Sequence, residues 1–446
     1  MKQNKQTMLL FMLFLWLNMG LLHAQQVYTL DECINITLQK NLQIQNSQMD
    51  VQSTNSQIKE AKSSFLPTVE LTGQYQYYLQ MPKMLVPADF MPGGKPGEYI
   101  EMEFGSPQTM TAAVQATQVL YNQKVFIGLK AARTAKNMSD LMLHKTREDL
   151  IYNVSAIYYN LQVLNQNLMM LDSNIVSLSK VVQANSALEA NSIVSKTNYK
   201  RLLISLENLK NERLNLALTT DKAYSLLKFL MCIPVTEQIS ISTFDAREYK
   251  LEAAVGNVEN RTDIKLLTQQ VELAKLDLKA SKASFYPSLA GVVNYGVSGN
   301  NDKFSLTQTI NDQWIRSSFV ALQLNVPIFS GFSRTEKVRQ KNFELKKAQN
   351  NYELMKSSVL KEMSDAVNNY NSSCNSFENT KRSLSLAQDI YNSAQIEYTN
   401  GLISASDLLL ILNELTTARN NFSNALVNLR IAEIELKKSK GEIASK

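Results

Sequence analysis

The sequence predicts a mainly helical fold with a membrane β-barrel part, built as a two-fold internal repeat of long coiled-coil helices. Three observations carry this. Lys62-Ser-Ser-Phe-Leu-Pro67, followed by an alternating run to Tyr77, recurs 220 residues later as Lys282-Ala-Ser-Phe-Tyr-Pro287 followed by a similar run to Tyr295. Glycine and proline are confined: between Lys130 and Ala254 the only breaker is Pro234, and between Phe332 and Lys440 the only one is Gly401. The strands alternate apolar and polar residues over about ten positions, the length and pattern that a lipid-facing barrel wall needs.

Residues 1–24 read as a secretory signal peptide. Lys2 and Lys5 precede an apolar run from Met8 to Leu22, and Ala24 supplies a small residue before a cut, with Leu22 where a second small residue is usual. Beyond it no apolar stretch approaches the ~20 residues of a membrane-spanning helix. A membrane contact therefore has to come from strands.

The expected order is helix over about 30–66, strand 68–78, a long loop, strand 109–119, helix 124–188 and helix 196–231. After a connector come helix 260–285, strands 288–298 and 315–326, and helices 332–399 and 404–440. In the first strand Val69, Leu71, Tyr75 and Tyr77 share one face, and Glu70, Thr72, Gln74 and Gln76 the other. In the third, Leu289, Val293, Tyr295 and Val297 oppose Ser288, Asn294 and Ser298. Tyr78 and Trp314 stand near strand ends, where an aromatic girdle belongs. A half-buried sheet of a soluble protein would show the same alternation. Four strands are too few to enclose a lumen, because about eight is the small end for closed barrels, so a barrel built from this chain requires several copies.

The helical tracts of roughly 65 residues would each extend on the order of 100 Å at 1.5 Å per residue. Leu408, Ile411, Leu415, Ala418, Phe422, Ala425, Leu429 and Ala432 repeat at three-four spacing, a knobs-into-holes seam. Val359, Met363, Ala366, Tyr370, Cys374, Phe377, Leu384, Ala387 and Tyr391 offer the partner seam.

Composition argues against chemistry. The net charge of +6 falls to +4 once the two signal-peptide lysines are removed, and no basic run with interleaved aromatics suggests nucleic acid. His144 is the only histidine after residue 24 and reads as a surface or groove residue. No Gly-x-x-x-x-Gly-Lys-Ser/Thr run holds phosphates, no cofactor site is expected, and methionines such as Met169 and Met170 read as core filler rather than copper ligands. Cys33, Cys232 and Cys374 have neither metal nor disulfide-framework spacing; they are expected as buried apolar residues, with a Cys33–Cys232 bridge as the alternative. These features point to a conduit rather than a catalyst.

Over nearly the whole chain after the signal, the sequence resembles the TolC-like outer-membrane efflux proteins. The most specific residues are the paired helix-Pro-strand segments, the Val-Pro-Ile-Phe-Ser-Gly331 turn, and Tyr398-Thr-Asn-Gly-Leu-Ile-Ser-Ala-Ser-Asp407 at a helix–helix corner. The resemblance implies a homotrimer with a shared 12-stranded barrel in outer-membrane lipid and an α-barrel in the periplasm of a Gram-negative bacterium. It also implies that a periplasmic adaptor and an inner-membrane transporter supply the energy, so that the chain is the passive exit duct of a tripartite efflux or type I secretion system. The repeats would span 25–231 and 260–446, with an equatorial connector at 232–259. Tyr398 and Asp407, with Asn198 at the corresponding corner of the first half, would form the periplasmic gate. Gly401, Leu402, Ile403 and Ser404 would be the adaptor-docking turn, or a plain interhelical turn. Here Leu410 stands where some members repeat the aspartate, Ile403 replaces the family's arginine, and Ser192 and Asn198 replace a glycine and an acid. At most one ring of carboxylates remains. Ser404-Ala-Ser-Asp407 also fits a capping box, leaving gate and cap both open for Asp407. The rival readings are a non-channel periplasmic scaffold and a diffusion porin, the latter poorly matched to such helices.

Overall fold

The computed structural model describes residues 26–190, 195–243, 256–301 and 314–443. The signal segment 1–24 and the corner residues Ser192 to Val194 lie outside the described residues. Seven helices are described: α1 (Leu30–Lys40), α2 (Leu42–Ser63), α3 (Gln123–Ala190), α4 (Lys196–Met231), α5 (Thr262–Lys282), α6 (Ser333–Thr399) and α7 (Ala405–Lys440). The strands are β1 (Gln26–Tyr28), β2 (Thr68–Tyr77), β3 (Lys83–Pro87), β4 (Tyr99–Glu103), β5 (Gln108–Asn122), β6 (Ile239–Ile241), β7 (Ser288–Asn301) and β8 (Trp314–Asn325). No described helix is long and apolar enough to cross a membrane.

The chain forms two compact units. One draws on the described parts of Met1–Val51, Ser139–Leu267 and Asn351–Lys446, the other on Gln52–Met138 and Thr268–Asn350. Each unit takes segments from both halves of the sequence.

The first unit is a helical bundle with four apolar clusters among its described residues, the smallest of them around Val258, Ile264, Val359 and Met363. In one, Leu171 and Leu178 of α3, Leu202 and Leu206 of α4, Tyr391 of α6 and Leu408, Leu412 and Leu415 of α7 pack together. In the next, Tyr370, Cys374 and Phe377 of α6 meet Leu426, Leu429 and Leu436 of α7. The expected α6 seam is thus found, but burial on α7 spreads to Leu412 and Leu426 beside the strict three-four line. The reason is that α7 packs against α3 and α4 as well as α6, which calls for a wider stripe than a two-helix seam.

The third cluster gathers Tyr28, Cys33, Val154, Tyr158, Leu161, Leu227, Met231, Ile239 and Ile241 around a short parallel pair, β1 with β6. Three-residue strands are invisible to a periodicity reading. They hold because Tyr158 donates its hydroxyl to the Tyr28 carbonyl at 3.0 Å, and Gln162 Nε2 donates to the Ser242 carbonyl at 2.9 Å. The expected continuous helix over 30–66 is broken at Asn41. Its backbone turns extended, its Oδ1 accepts from Gln43 N–H at 2.8 Å, and its Nδ2 donates to the Leu230 carbonyl at 2.9 Å. Asparagine thereby replaces a helical hydrogen bond with two side-chain ones.

All three cysteines are free. Cys33 and Cys374 are buried as expected, and burial pushes the Cys33 thiol up to about 12. Cys232 departs from both expectations, being exposed and unbridged. It closes α4 in the left-handed conformation at φ 52°, a position that normally selects glycine.

The second unit is a four-stranded antiparallel sheet in the order β2-β5-β7-β8, flanked by helical segments. Each half contributes one strand pair, and the halves join through β5 and β7. These central strands run to 15 and 14 residues, longer than expected, whereas the edge strands β2 and β8 stop at 10 and 12. Bonding on both flanks supports the extra length, and β5 takes a bulge between Val119 and Tyr121 to continue. The expected loop over 79–108 contains a small hairpin, β3 with β4.

Candidate functional site

Two places in the fold can serve conduction, and each is built from short-range rules. In the sheet, the pairing register extends the alternation of single strands into continuous rows. On one face Val69, Ala116, Val293 and Val320 form a row, and Leu71, Val114, Tyr295 and Ser318 form the next. On the other face Glu70, Gln115, Asn294 and Phe319 line up beside Thr72, Ala113, Gly296 and Ser317. Gln115 Nε2 donates to Thr117 Oγ1 at 3.3 Å on this second face. The apolar rows are open: Leu71 is 76% exposed, Val320 79% and Leu322 72%. A face of that size left to water would drive aggregation, so its natural solvent is lipid.

Trp314 opens β8 on the apolar face, opposite Gly299. A Cβ on Gly299 would come within 3.2 Å of the indole, which gives the glycine a packing role. The outer flanks of β2 and β8 carry no further strand among the described residues. Open edges of this length are templates for strand addition.

The second place is a pair of helix–helix corners in the helical unit. At the α6–α7 corner, Gly401 adopts φ +75°, its N–H bonds the Tyr398 carbonyl at 3.0 Å, and Leu402 N–H bonds the Glu397 carbonyl at 2.9 Å. A left-handed glycine here satisfies the last carbonyls of α6 and turns the chain. Leu402 is exposed, while Ile403 and Tyr398 pack against the apolar cluster behind them.

Ser404 then caps α7. Its hydroxyl accepts from Asp407 N–H at 3.2 Å, and Asp407 Oδ2 accepts from the Ser404 hydroxyl at 2.7 Å and its N–H at 3.1 Å. The Ser404 hydroxyl, then its backbone N–H, hold the Asp407 carboxyl below the usual aspartate range, so the exposed group stays anionic. The geometry makes Asp407 a cap residue whose charge remains exposed to solvent.

The α3–α4 corner repeats the start of this pattern. Ser195 Oγ caps α4 by accepting from Thr197 N–H at 3.3 Å, and Asn198 occupies the same helical position that Asp407 does, its N–H on the Ser195 carbonyl at 2.9 Å. Asn198 therefore matches Asp407 in place but not in charge. Tyr398 is tied elsewhere: its hydroxyl takes a hydrogen bond from Nδ2 of Asn185 on α3, a side chain only 1% exposed. The structure thus links the three expected gate residues to three different partners. Asn185 carries no sequence signal, since it lies in a helix full of asparagines.

Arg201 likewise carries no signal in the sequence. It lies one turn into α4 and reaches Ser406 Oγ of the other corner at 3.4 Å.

A family model described as "Outer membrane efflux protein" matches residues 33–231 and 257–442. The outer membrane protein TolC of Salmonella enteritidis is 21% identical over 355 residues, covering 78% of this chain and 68% of that protein. Among solved structures, the CmeC outer membrane channel of Campylobacter jejuni superposes with a TM-score of 0.76 at 17% identity, covering 93% of this chain and 86% of that one. The outer membrane protein VceC of Vibrio cholerae gives 0.73 at 15% identity, covering 92% and 96%. At such identities the superpositions establish the shared fold, and the family match establishes the rest. The chain belongs to the outer membrane efflux protein family, an exit duct of the Gram-negative outer membrane whose helices lie in the periplasm.

Proposed function

We propose that three copies of this chain close into one passive duct, to which a periplasmic adaptor and an inner-membrane transporter couple at the helical corners. The observation that carries the reading is the four-stranded sheet, apolar on one face, polar on the other and open at both edges. Joining β8 of one copy to β2 of the next is a head-to-tail contact that must close into a ring or run on as a filament. Three copies give twelve strands around a wet lumen, which leaves no edge unpaired.

In this reading the halves 25–231 and 260–446 supply equivalent parts, and 232–259 is an equatorial connector. Tyr398, Asp407 and Asn198 line the periplasmic gate, where Asp407 contributes one ring of three carboxylates. Gly401, Leu402, Ile403 and Ser404 form the turn that meets the adaptor; the exposed Leu402 at its apex supports this. The duct needs no chemistry of its own, because the transporter supplies the energy.

Two measurements on the purified mature protein test the proposal. Native mass spectrometry in detergent should give three chains per particle, and planar bilayers should show small unitary currents that Tyr398→Phe enlarges by releasing Asn185. A monodisperse monomer, or a folded protein that inserts without current, would sink it.

A further inference from the structure

We infer that Arg201 offsets the Asp407 carboxylates and sets the ion preference of the corner, an inference that rests on the gate placement proposed above. Both corners start from the same frame: a serine N-cap at 195 or 404, with Asn198 or Asp407 three residues on. One further turn along, the equivalent positions are Arg201 in α4 and Leu410 in α7. Where a second acid would deepen a cation-attracting ring, one half supplies an exposed leucine and the other a guanidinium.

The two positions are not remote from each other. Arg201 Nη1 lies 3.4 Å from Ser406 Oγ, and Ser406 immediately precedes Asp407 in the first turn of α7. The guanidinium is thus held at the residue that precedes the carboxylate, on the same first turn of α7, and charges this exposed act over a Debye length of ~8 Å at physiological salt. Both side chains are exposed, so their fields act on ions in the adjoining water. Lys196 and Lys200, also exposed, add positive charge to the same corner. Each chain therefore brings Lys196, Lys200 and Arg201 to the start of α4 against Asp407 at the start of α7, with the exposed Glu397 at the end of α6 as a further acid of that corner. Three carboxylates alone would favour cations; with Arg201 beside them the corner loses that preference.

Reversal potentials under a tenfold KCl gradient test this, comparing native protein with Arg201→Gln, Arg201→Lys and Asp407→Asn. The expected result is a native potassium-to-chloride permeability ratio near or below one, raised about threefold or more by Arg201→Gln, kept by Arg201→Lys and lowered by Asp407→Asn. Arg201→Gln should also create a block by divalent cations. If Asp407→Asn shifts the ratio and Arg201→Gln does not, the inference is overturned while the gate placement stands. If conducting channels ignore both substitutions, the gate placement itself fails and the inference with it.

Discussion

The Arg261 guanidinium grips both carboxylate oxygens of Glu362, at 3.1 and 3.2 Å. Arg261 also donates to Asp263 at 2.8 Å and to the Lys438 carbonyl at 3.3 Å, and Lys145 reaches Asp263 at 2.5 Å. One buried arginine thereby ties the start of α5 to α6 and α7, while Asp263 ties it to α3. Its side chain is 6% exposed, whereas that of Glu362 is 50% exposed.

That asymmetry predicts unequal costs. Arg261→Met should destabilise the helical unit by roughly 3 kcal/mol, because it removes a buried guanidinium whose partners include the half-buried Asp263 carboxylate, which then keeps only one of its two cations. Glu362→Gln should cost ~1 kcal/mol or less, as an exposed partner does. Chemical denaturation in detergent measures both, and equal losses would refute the assignment.

The same site predicts an acid limb. Burial alone would raise the Asp263 carboxyl, but hydrogen bonds from Lys145 and Arg261, with their charges, outweigh it and hold it below the ordinary range. A carboxyl depressed on folding stabilises above its unfolded value of about 3.9, and that stability is lost as pH falls through the folded value. Asp263→Asn should therefore be less stable than native protein at pH 7, with the gap closing below about pH 4. A gap that stays constant between pH 7 and pH 3 would exclude the mechanism.

Ser404→Ala should loosen the first turn of α7 by about 1 kcal/mol, which is about a fivefold loss of amide-exchange protection at residues 405–408. Asp407→Ala should match it at the Ser404 amide. Because the two side chains bond each other, the double variant should lose less than the sum of the single losses. Strict additivity would mean that the reciprocal cap contributes nothing.

Trp314 is the only tryptophan after residue 24, so the mature protein's indole fluorescence reports one site. Placed on the apolar face, it should be quenched by brominated acyl chains in proteoliposomes. Gly299→Val should displace the indole and lower stability by about 1–3 kcal/mol through overpacking. Quenching by aqueous iodide instead of bromolipid would put the polar face outward.

Cys232 should react with a maleimide in the native state, while Cys33 and Cys374 remain unlabelled until unfolding. Cys232→Gly should raise stability by up to ~1 kcal/mol, since the left-handed cap no longer strains a Cβ. Labelling of Cys33 at the native rate of Cys232 would contradict the buried cluster around it.

The candidate sites were legible to different depths. The left-handed turn at Gly401 and the capping pattern from Ser404 to Asp407 are local, so residue types and their spacing disclose them. Asn185 and Arg201 are not, because Tyr398 lies 213 residues beyond Asn185 and Ser406 lies 205 beyond Arg201. Their residue types occur all along these helices without a distinguishing neighbour. Similarly, Asn41 could be read as helical until the Leu230 carbonyl appeared beside it.

The sequence by itself determined the helices, the period-2 strands, the repeat and the family, because these follow from backbone geometry and local burial patterns that each segment carries alone. Only the tertiary structure decided that β5 joins β7 across the halves, that α7 widens its buried stripe to reach α3 and α4, that Cys232 faces water, and that an arginine stands beside the Asp407 turn. Such pairings depend on which of many similar surfaces meet. That choice is made by the packing of the whole chain, where one register satisfies the backbone and buries the apolar faces together.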